Sequence, residues 1–397
     1  MPLSPAQEHD LVHRLRHLLD SAVANGDIPS AVCAVAVDGK ALEPVAAGDS
    51  VKYGNDGGLL APSARVAAAA ETMYDLASIT KIFTALTCLV LVQGGVLDLD
   101  APVSRTLAAY RGNPDRETVT LRHLLTHTSG LAPTWSGWRR RPFPQAPPDV
   151  RSPRRRELLD DLLAAGLLHR PGRSFAYSCV GYNTAMALAE AAAGTPWPDL
   201  LTSRVLDPLA IPDLTFAPGP DRCAATEFCP ELGRGTVRGR VHDESAFVLG
   251  GAAGNAGLFG TASALLAFGE RLRAGFPELL PAAAAEQMWT NQLPELMGTA
   301  AAAAAQEAGG YGQGLGLRVG QTGWMGRSAE QARGHNGFTG TSLLTDRDRR
   351  VTVVLLTNRV HPSRTSSDIG SLRPAVHETV YSALPPVDGP RLLTPEA

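Results

Sequence analysis

Ser78-Ile79-Thr80-Lys81 is the stretch of this 397-residue sequence best suited to covalent chemistry. A serine hydroxyl is a weak nucleophile until a neighbouring base takes its proton. At a helix start, residues three apart share a face about one turn from each other, so the Ser78 hydroxyl can pass its proton to the Lys81 amine. The helix N-terminus also offers free backbone N–H groups and a partial positive charge to a carbonyl under attack. Taken alone, this spacing is a weak signal. Its context strengthens it. Of 36 basic residues only Lys40, Lys52 and Lys81 are lysines, so arginine supplies nearly every other cation. Arginine keeps its proton in proteins, whereas a desolvated lysine can become a neutral base. Lys81 also stands among Ile79, Ile82, Phe83, Ala85 and Leu86, where a solvated helix face would hold several polar groups. Ser78 and Lys81 are therefore the candidate nucleophile and base.

Two further clusters suit the same chemistry. In Pro171 to Ser178 a Pro-Gly turn is followed by Tyr177, whose phenol could act as a second general acid or base beside a cation. In Gly334-His335-Asn336-Gly337-Phe338-Thr339-Gly340 the glycines allow backbone to approach a ligand closely. Other patterns read differently. His123 and His127 have the i, i+4 spacing of a zinc helix, but Leu124 stands where the metalloprotease pattern needs Glu. His242, Asp243 and Glu244 fit loop hydrogen bonding better than metal ligation. The Gly250 to Gly257 segment lacks the Gly-Lys-Ser/Thr ending of a phosphate loop, and turn or close-packing roles suit it. Cys179 reads as a small packing residue, with a reactive thiol near Lys81 as the alternative. No metal or cofactor is called for.

The elements that must position these residues can be read from periodicity. Leu11, Leu15, Leu18, Leu19 and Val23 fall on one face of an amphipathic first helix, and Ala31 to Asp38 reads as a strand. Ile79 to Gln93 is an almost wholly apolar helix that stops at Gly94-Gly95 and must be buried on all sides. Leu121 to Thr126, Pro153 to Leu168 and Asp199 to Leu206 read as helices, and Pro133 to Pro153 as a surface loop able to border a cleft. Tyr311 to Val319, Gly340 to Thr345 and Val351 to Asn358 are strand-like, and Leu372 to Leu384 makes a closing helix. The alanine run Ala300 to Ala305 reads as a tolerated surface insertion. This order predicts an α/β (α+β) fold in a single domain over residues 1–397. Residues 1–77 and 245–397 would form a mixed lobe with an antiparallel sheet, and residues 78–244 an inserted, mostly helical lobe.

Composition narrows the function classes. A net charge of −3 offers no basic field for nucleic acid, and there is no charge-free apolar run long enough to cross a bilayer. The five cysteines, Cys33, Cys88, Cys179, Cys223 and Cys229, lack metal-type pairing and read as reduced thiols. The N-terminal residues resemble a surface helix rather than a secretory signal, so a cytoplasmic location with no membrane partner is expected.

These residues resemble the serine β-lactamase and penicillin-binding-protein superfamily, in particular its esterase-like branch near class C β-lactamases. Ser78-x-x-Lys81 is similar to its first motif, Tyr177-Ser178-Cys179 to its tyrosine motif, and His335-Asn336-Gly337 to its Lys-Thr-Gly or His-x-Gly motif. Leu121 to Leu131, Val241 to Ala246 with Gly250 to Gly260, and Val353 to Asn358 resemble supporting segments in the family's order. The resemblance implies an acyl-enzyme path. Ser78 attacks a carbonyl, Lys81 and Tyr177 move protons, and the N–H groups of Ser78 and Phe338 form the oxyanion hole. His335 hydrogen-bonds near Tyr177 and helps bind substrate, with Gly337, Phe338, Cys179 and Asn336 also at the substrate.

Three departures shape the expected activity. Cys179 stands where Asn usually orients a substrate amide, and Asn336 where Thr usually helps bind a carboxylate. His335 in place of Lys removes a permanent cation from that carboxylate site at neutral pH. Hydrolysis of a small ester or amide through acyl-Ser78 is therefore expected ahead of β-lactam hydrolysis. A transacylase passing the acyl group to an amine or alcohol shares the same first half-reaction, and a non-catalytic penicillin-binding or sensor-like module is the remaining alternative.

Overall fold

Ser30–Val37 and Val351–Thr357 carry scarcely a polar side chain, and strands of that kind need cover on both faces. The structure, a computed structural model, describes residues 2–307, 310–367 and 369–385. In chain order its main strands are β1 (Ser30–Val37), β2 (Val45–Val51), β3 (Val66–Ala67), β4 (Gly312–Gln313), β5 (Arg318–Val319), β6 (Arg333–Asn336), β7 (Ser342–Asp346) and β8 (Val351–Thr357). They lie side by side in the order β4-β5-β6-β7-β8-β1-β2-β3, and the short strand Lys40–Ala41 pairs with β1. Neighbouring pairs are antiparallel, with Val35 opposite Val353 at the centre, so the two chain ends meet in one sheet.

Alternation along β1 and β8 sends successive side chains to opposite faces. Cys33, Val35, Val353 and Leu355 join Leu11, Leu15 and Leu19 of α1 (Pro5–Ala24) and Val376 and Val380 of α7 (Leu372–Ala383). Val32, Ala34, Val354 and Leu356 face the other core, with Leu265 and Phe268 of α6 (Ala262–Arg273) and Ile82 and Phe83 of α2 (Thr80–Gln93). Burying a leucine or valine fully is worth about 1.5–3 kcal/mol, so this double cover holds the sheet rigid beneath the site.

Helix α2 is buried from Thr80 through Leu89 and ends at Gly94 and Gly95. It packs against α5 (Cys179–Ala193), which touches α3 (Leu121–Leu125) in turn. Helix α4 (Pro153–Leu163) stops short of Leu168, and Leu167 instead bridges to Leu131. The alanine run forms a helix, Thr299–Glu307, in keeping with the strong helix propensity of alanine. Tyr311 to Val319 divides into β4 and β5, a tight antiparallel pair. Among the described residues no helix is long and apolar enough to cross a membrane.

Candidate active site

The approach to Ser78 is strained, then pinned. Ala77 holds φ +47°, a left-handed conformation costly for a residue with a side chain. Its N–H donates to Asp75 Oδ1 at 2.8 Å, while Asp75 Oδ2 accepts the His242 N–H at 2.7 Å. Burial raises the Asp75 carboxyl above its usual range, although these N–H groups and His242 favour its charged form. Thr339 donates to the Asp75 carbonyl at 2.7 Å and Thr341 to the Leu76 carbonyl at 3.1 Å, tying this turn to the loop after β6. From Thr72 to Leu89 every residue is buried except Ser78, so the turn lifts one hydroxyl to the surface of the core.

Lys81 lies one turn below, with no solvent exposure. Its Nζ donates to Ser78 Oγ at 3.0 Å, to the Asn255 carbonyl at 3.0 Å and to Cys179 Sγ at 3.5 Å. Burial presses Lys81 towards the neutral amine, but the Cys179 sulfur, the Tyr177 phenol and, farther off, Asp243 outweigh it and hold the ammonium above its ordinary range. Desolvation alone therefore does not set the proton affinity of this lysine; the neighbouring sulfur, phenol and carboxylate outweigh it.

Tyr177 is clamped from both sides in sequence. His127 accepts the Ala176 N–H through its carbonyl at 2.9 Å and the Ser178 N–H through Nδ1 at 3.0 Å. Ser178 Oγ donates to the Ala132 carbonyl at 2.7 Å, and the Cys179 N–H donates to Pro133. The Tyr177 ring lies 4.9 Å from the Arg318 guanidinium and 5.0 Å from Lys81 Nζ, and its buried hydroxyl has no hydrogen-bond partner among the described residues. His335 is buried, and burial together with Arg318 and Lys81 pushes its imidazole well below the usual histidine range. The neutral ring donates from Nδ1 to the Asn336 carbonyl at 2.8 Å. Its Nε2 has no partner among the described residues, and its ring lies 6.0 Å from that of Tyr177.

A cleft of about 430 Å³ opens over Ser78, Tyr177, Asn336, Gly337 and Phe338, with Arg318, Arg359 and Arg373 also in its wall. Cys179 and His335 stand behind this lining rather than in it. Phe338 is 49% exposed, and neither its N–H nor that of Ser78 donates to an acceptor among the described residues. Gly337 is where the strand presses on the turn that carries Ser78: a Cβ there would lie 2.2 Å from Thr341 Oγ1 and 2.7 Å from the Leu76 carbonyl oxygen. Gly337→Ala is expected to cost about 1–3 kcal/mol of stability. Because the shift reaches Ser78 itself, kcat/KM should fall about 10²-fold; calorimetry and ester kinetics on the same sample check both, and wild-type turnover would contradict so tight a contact.

Four contributors carry no signal in the sequence pattern. Asp75 has no motif around it. Asn255 acts through its backbone carbonyl, which no side-chain pattern reveals. Arg318 and Arg373 belong to a chain where arginine is everywhere; here they restore permanent cations to a cleft expected to have lost one. Arg373 donates to the Gly337 and Thr341 carbonyls at 2.7 and 3.1 Å, and burial, with Arg359 and Arg318 nearby, lowers it to about 9. The loop from Pro133 to Pro153 does not line this cleft. Its Trp138, Arg139, Arg141 and Phe143 line a separate cavity of about 450 Å³ with Glu231, Leu232, Glu244 and Arg364. His123 and His127 are spent on hydrogen bonds to Thr120 and Ser178, and His242 Nε2 meets Glu227 at 2.8 Å.

Residues 15–375 match the family model described as Beta-lactamase. The chain is 30% identical over 405 residues to the esterase EstB of Burkholderia gladioli, covering 94% of this chain and 95% of that one. It is 27% identical over 377 residues to an N-acetylmuramyl-L-alanine amidase of Bacillus subtilis, covering 88% and 81%. In structure it is similar to EstCE1, described as a hydrolase with promiscuous acyltransferase activity, with a TM-score of 0.71 and 23% identity over 94% of this chain and 99% of the other.

Proposed function

Since this chain belongs to the beta-lactamase family, and is a serine hydrolase or acyltransferase of that superfamily, we propose that it works through an acyl-Ser78 intermediate and hydrolyses a small ester or amide. The observation that carries this reading is the 3.0 Å contact between Ser78 Oγ, at the cleft, and the buried Lys81 Nζ. Once Lys81 has released its extra proton, the neutral amine takes the Ser78 proton as Oγ bonds to the substrate carbonyl carbon. The oxyanion forms where the Ser78 and Phe338 N–H groups can both donate to it. Collapse of this intermediate expels the alcohol or amine, which receives the proton back from Lys81 by way of the Tyr177 hydroxyl. Water then repeats the sequence on the acyl-serine.

Esters suit this site better than amides. Cys179 stands where the family resemblance places an Asn that orients a substrate amide, so amide recognition is weakened. The arginines bias the cleft towards an acyl donor carrying negative charge near its carbonyl. A non-catalytic module is disfavoured because the nucleophile and its lysine keep hydrogen-bonding distance.

The likeness to EstCE1, itself described as having promiscuous acyltransferase activity, supports a second reading in which an amine or alcohol replaces water. Adding a primary amine or alcohol at rising concentration to an ester reaction separates the two. Hydrolysis predicts free acid as the dominant product throughout. A new amide or ester that saturates with acceptor at constant total turnover would instead make transacylation the principal activity, and turnover of no ester at all would end the acyl-enzyme reading.

A further inference from the structure

Lys81 meets several charged or titratable groups, and they are unequal. Ser78 lies on its own turn. Tyr177 and Cys179 come from the segment entering α5, and Tyr182 of α5 presents its ring 5.6 Å from Nζ. The Asn255 carbonyl faces it from the glycine-rich loop, Asp243 adds its charge, and His127, His335 and Arg318 pack around the Tyr177 ring. Of those able to carry negative charge, the Cys179 sulfur lies 3.5 Å from Nζ and the Tyr177 phenol also raises Lys81, its ring 5.0 Å away, with Cys179 the larger influence of the two. Burial alone lowers Lys81, so loss of the Cys179 contact would press it towards the neutral amine, with Tyr177 and Asp243 left to oppose that.

The other cysteines sharpen the contrast. Cys33, Cys88, Cys223 and Cys229 are buried, and burial pushes their thiols up, to about 12 for Cys33, Cys88 and Cys229 and about 11 for Cys223. Cys179 is instead only half-buried, with the Lys81 amine 3.5 Å from its sulfur.

We propose that Cys179 is the charge partner that keeps Lys81 protonated in the resting enzyme, so that this thiol sets the pH at which the base of Ser78 is released and is also the site where a thiol-directed electrophile stops the reaction. The first consequence rests on the acyl-Ser78 reading; the second does not. Alkylation by iodoacetamide is a simple displacement: the Cys179 sulfur forms a bond to the methylene carbon and iodide leaves. The added group then crowds Ser78 and removes the charge that Lys81 faced.

Two measurements test the pair. The first is kcat/KM against pH for wild type, Cys179→Asn and Cys179→Ser. The limb on the acid side should move to lower pH by about one to three units in both variants, because the lysine loses its anionic partner. A limb that stays in place in both variants overturns the charge-partner role. The second is iodoacetamide labelling at pH 7 read by peptide mass spectrometry, which needs no turnover and so reads even if Ser78 is not the nucleophile. Cys179 should be alkylated ahead of the other four, at least tenfold faster in wild type than in Lys81→Met, and Lys81→Arg, which keeps the charge, should retain most of that rate. Equal labelling rates in wild type and Lys81→Met, with both melting as the wild type does, overturn the proposal.

Discussion

Ser78→Ala is expected to lower kcat/KM for an activated ester by at least about 10³-fold while leaving the melting temperature within a few degrees of wild type. The loss is large because the proposed acyl-Ser78 divides a difficult acyl transfer into two easier steps. The fold is spared because Ser78 is the one side chain between Thr72 and Leu89 that is not buried, so its hydroxyl contributes little to packing. Alanine also suits the 3-10 turn, whose strain resides in Ala77 and whose anchors are Asp75, Thr339 and Thr341. Circular dichroism beside ester kinetics checks both halves. A variant that keeps more than a tenth of wild-type turnover would assign the nucleophile elsewhere.

Lys81→Ala should cost about 10²–10⁴-fold in kcat/KM, the usual worth of a positioned general base. Its pH dependence discriminates further. Because Cys179, Tyr177 and Asp243 hold the Lys81 proton above the ordinary lysine range despite burial, the neutral amine is scarce at pH 7 and gains population as pH rises. Wild-type kcat/KM is therefore expected to climb through the alkaline region, and the variant to lose that climb along with its rate. Lys81→Arg should be as inactive as Lys81→Ala, since a guanidinium keeps charge and reach but does not surrender its proton. A wild-type profile flat from about pH 5 upward would exclude a lysine base.

How much of the site is legible in the sequence follows from what kind of atom each residue contributes. Lys81 stands out because lysine is so scarce here and its neighbours so apolar, and a side-chain amine does the work. The strands at the sheet centre are readable because β1 and β8 are short, rich in β-branched residues and apolar on both faces, as a sheet covered from both sides requires. Asn255 is not readable, for it offers Lys81 a carbonyl that every residue owns. Arg318 and Arg373 are hidden by the abundance that makes Lys81 conspicuous, and only the fold brings β5 and the start of α7 to one cleft. Asp75 acts on the N–H of a strained alanine and of a residue 167 positions away, a pairing that spacing along the chain does not encode.

The central claim is a covalent acyl-Ser78, and intact-mass spectrometry reads it directly. Incubated with a slowly turned-over activated ester and quenched in acid, the wild type should gain the mass of one acyl group, located on the peptide that holds Ser78, while Ser78→Ala gains none. An equal adduct on both proteins, or one carried by Cys179, would contradict an acyl-Ser78 intermediate.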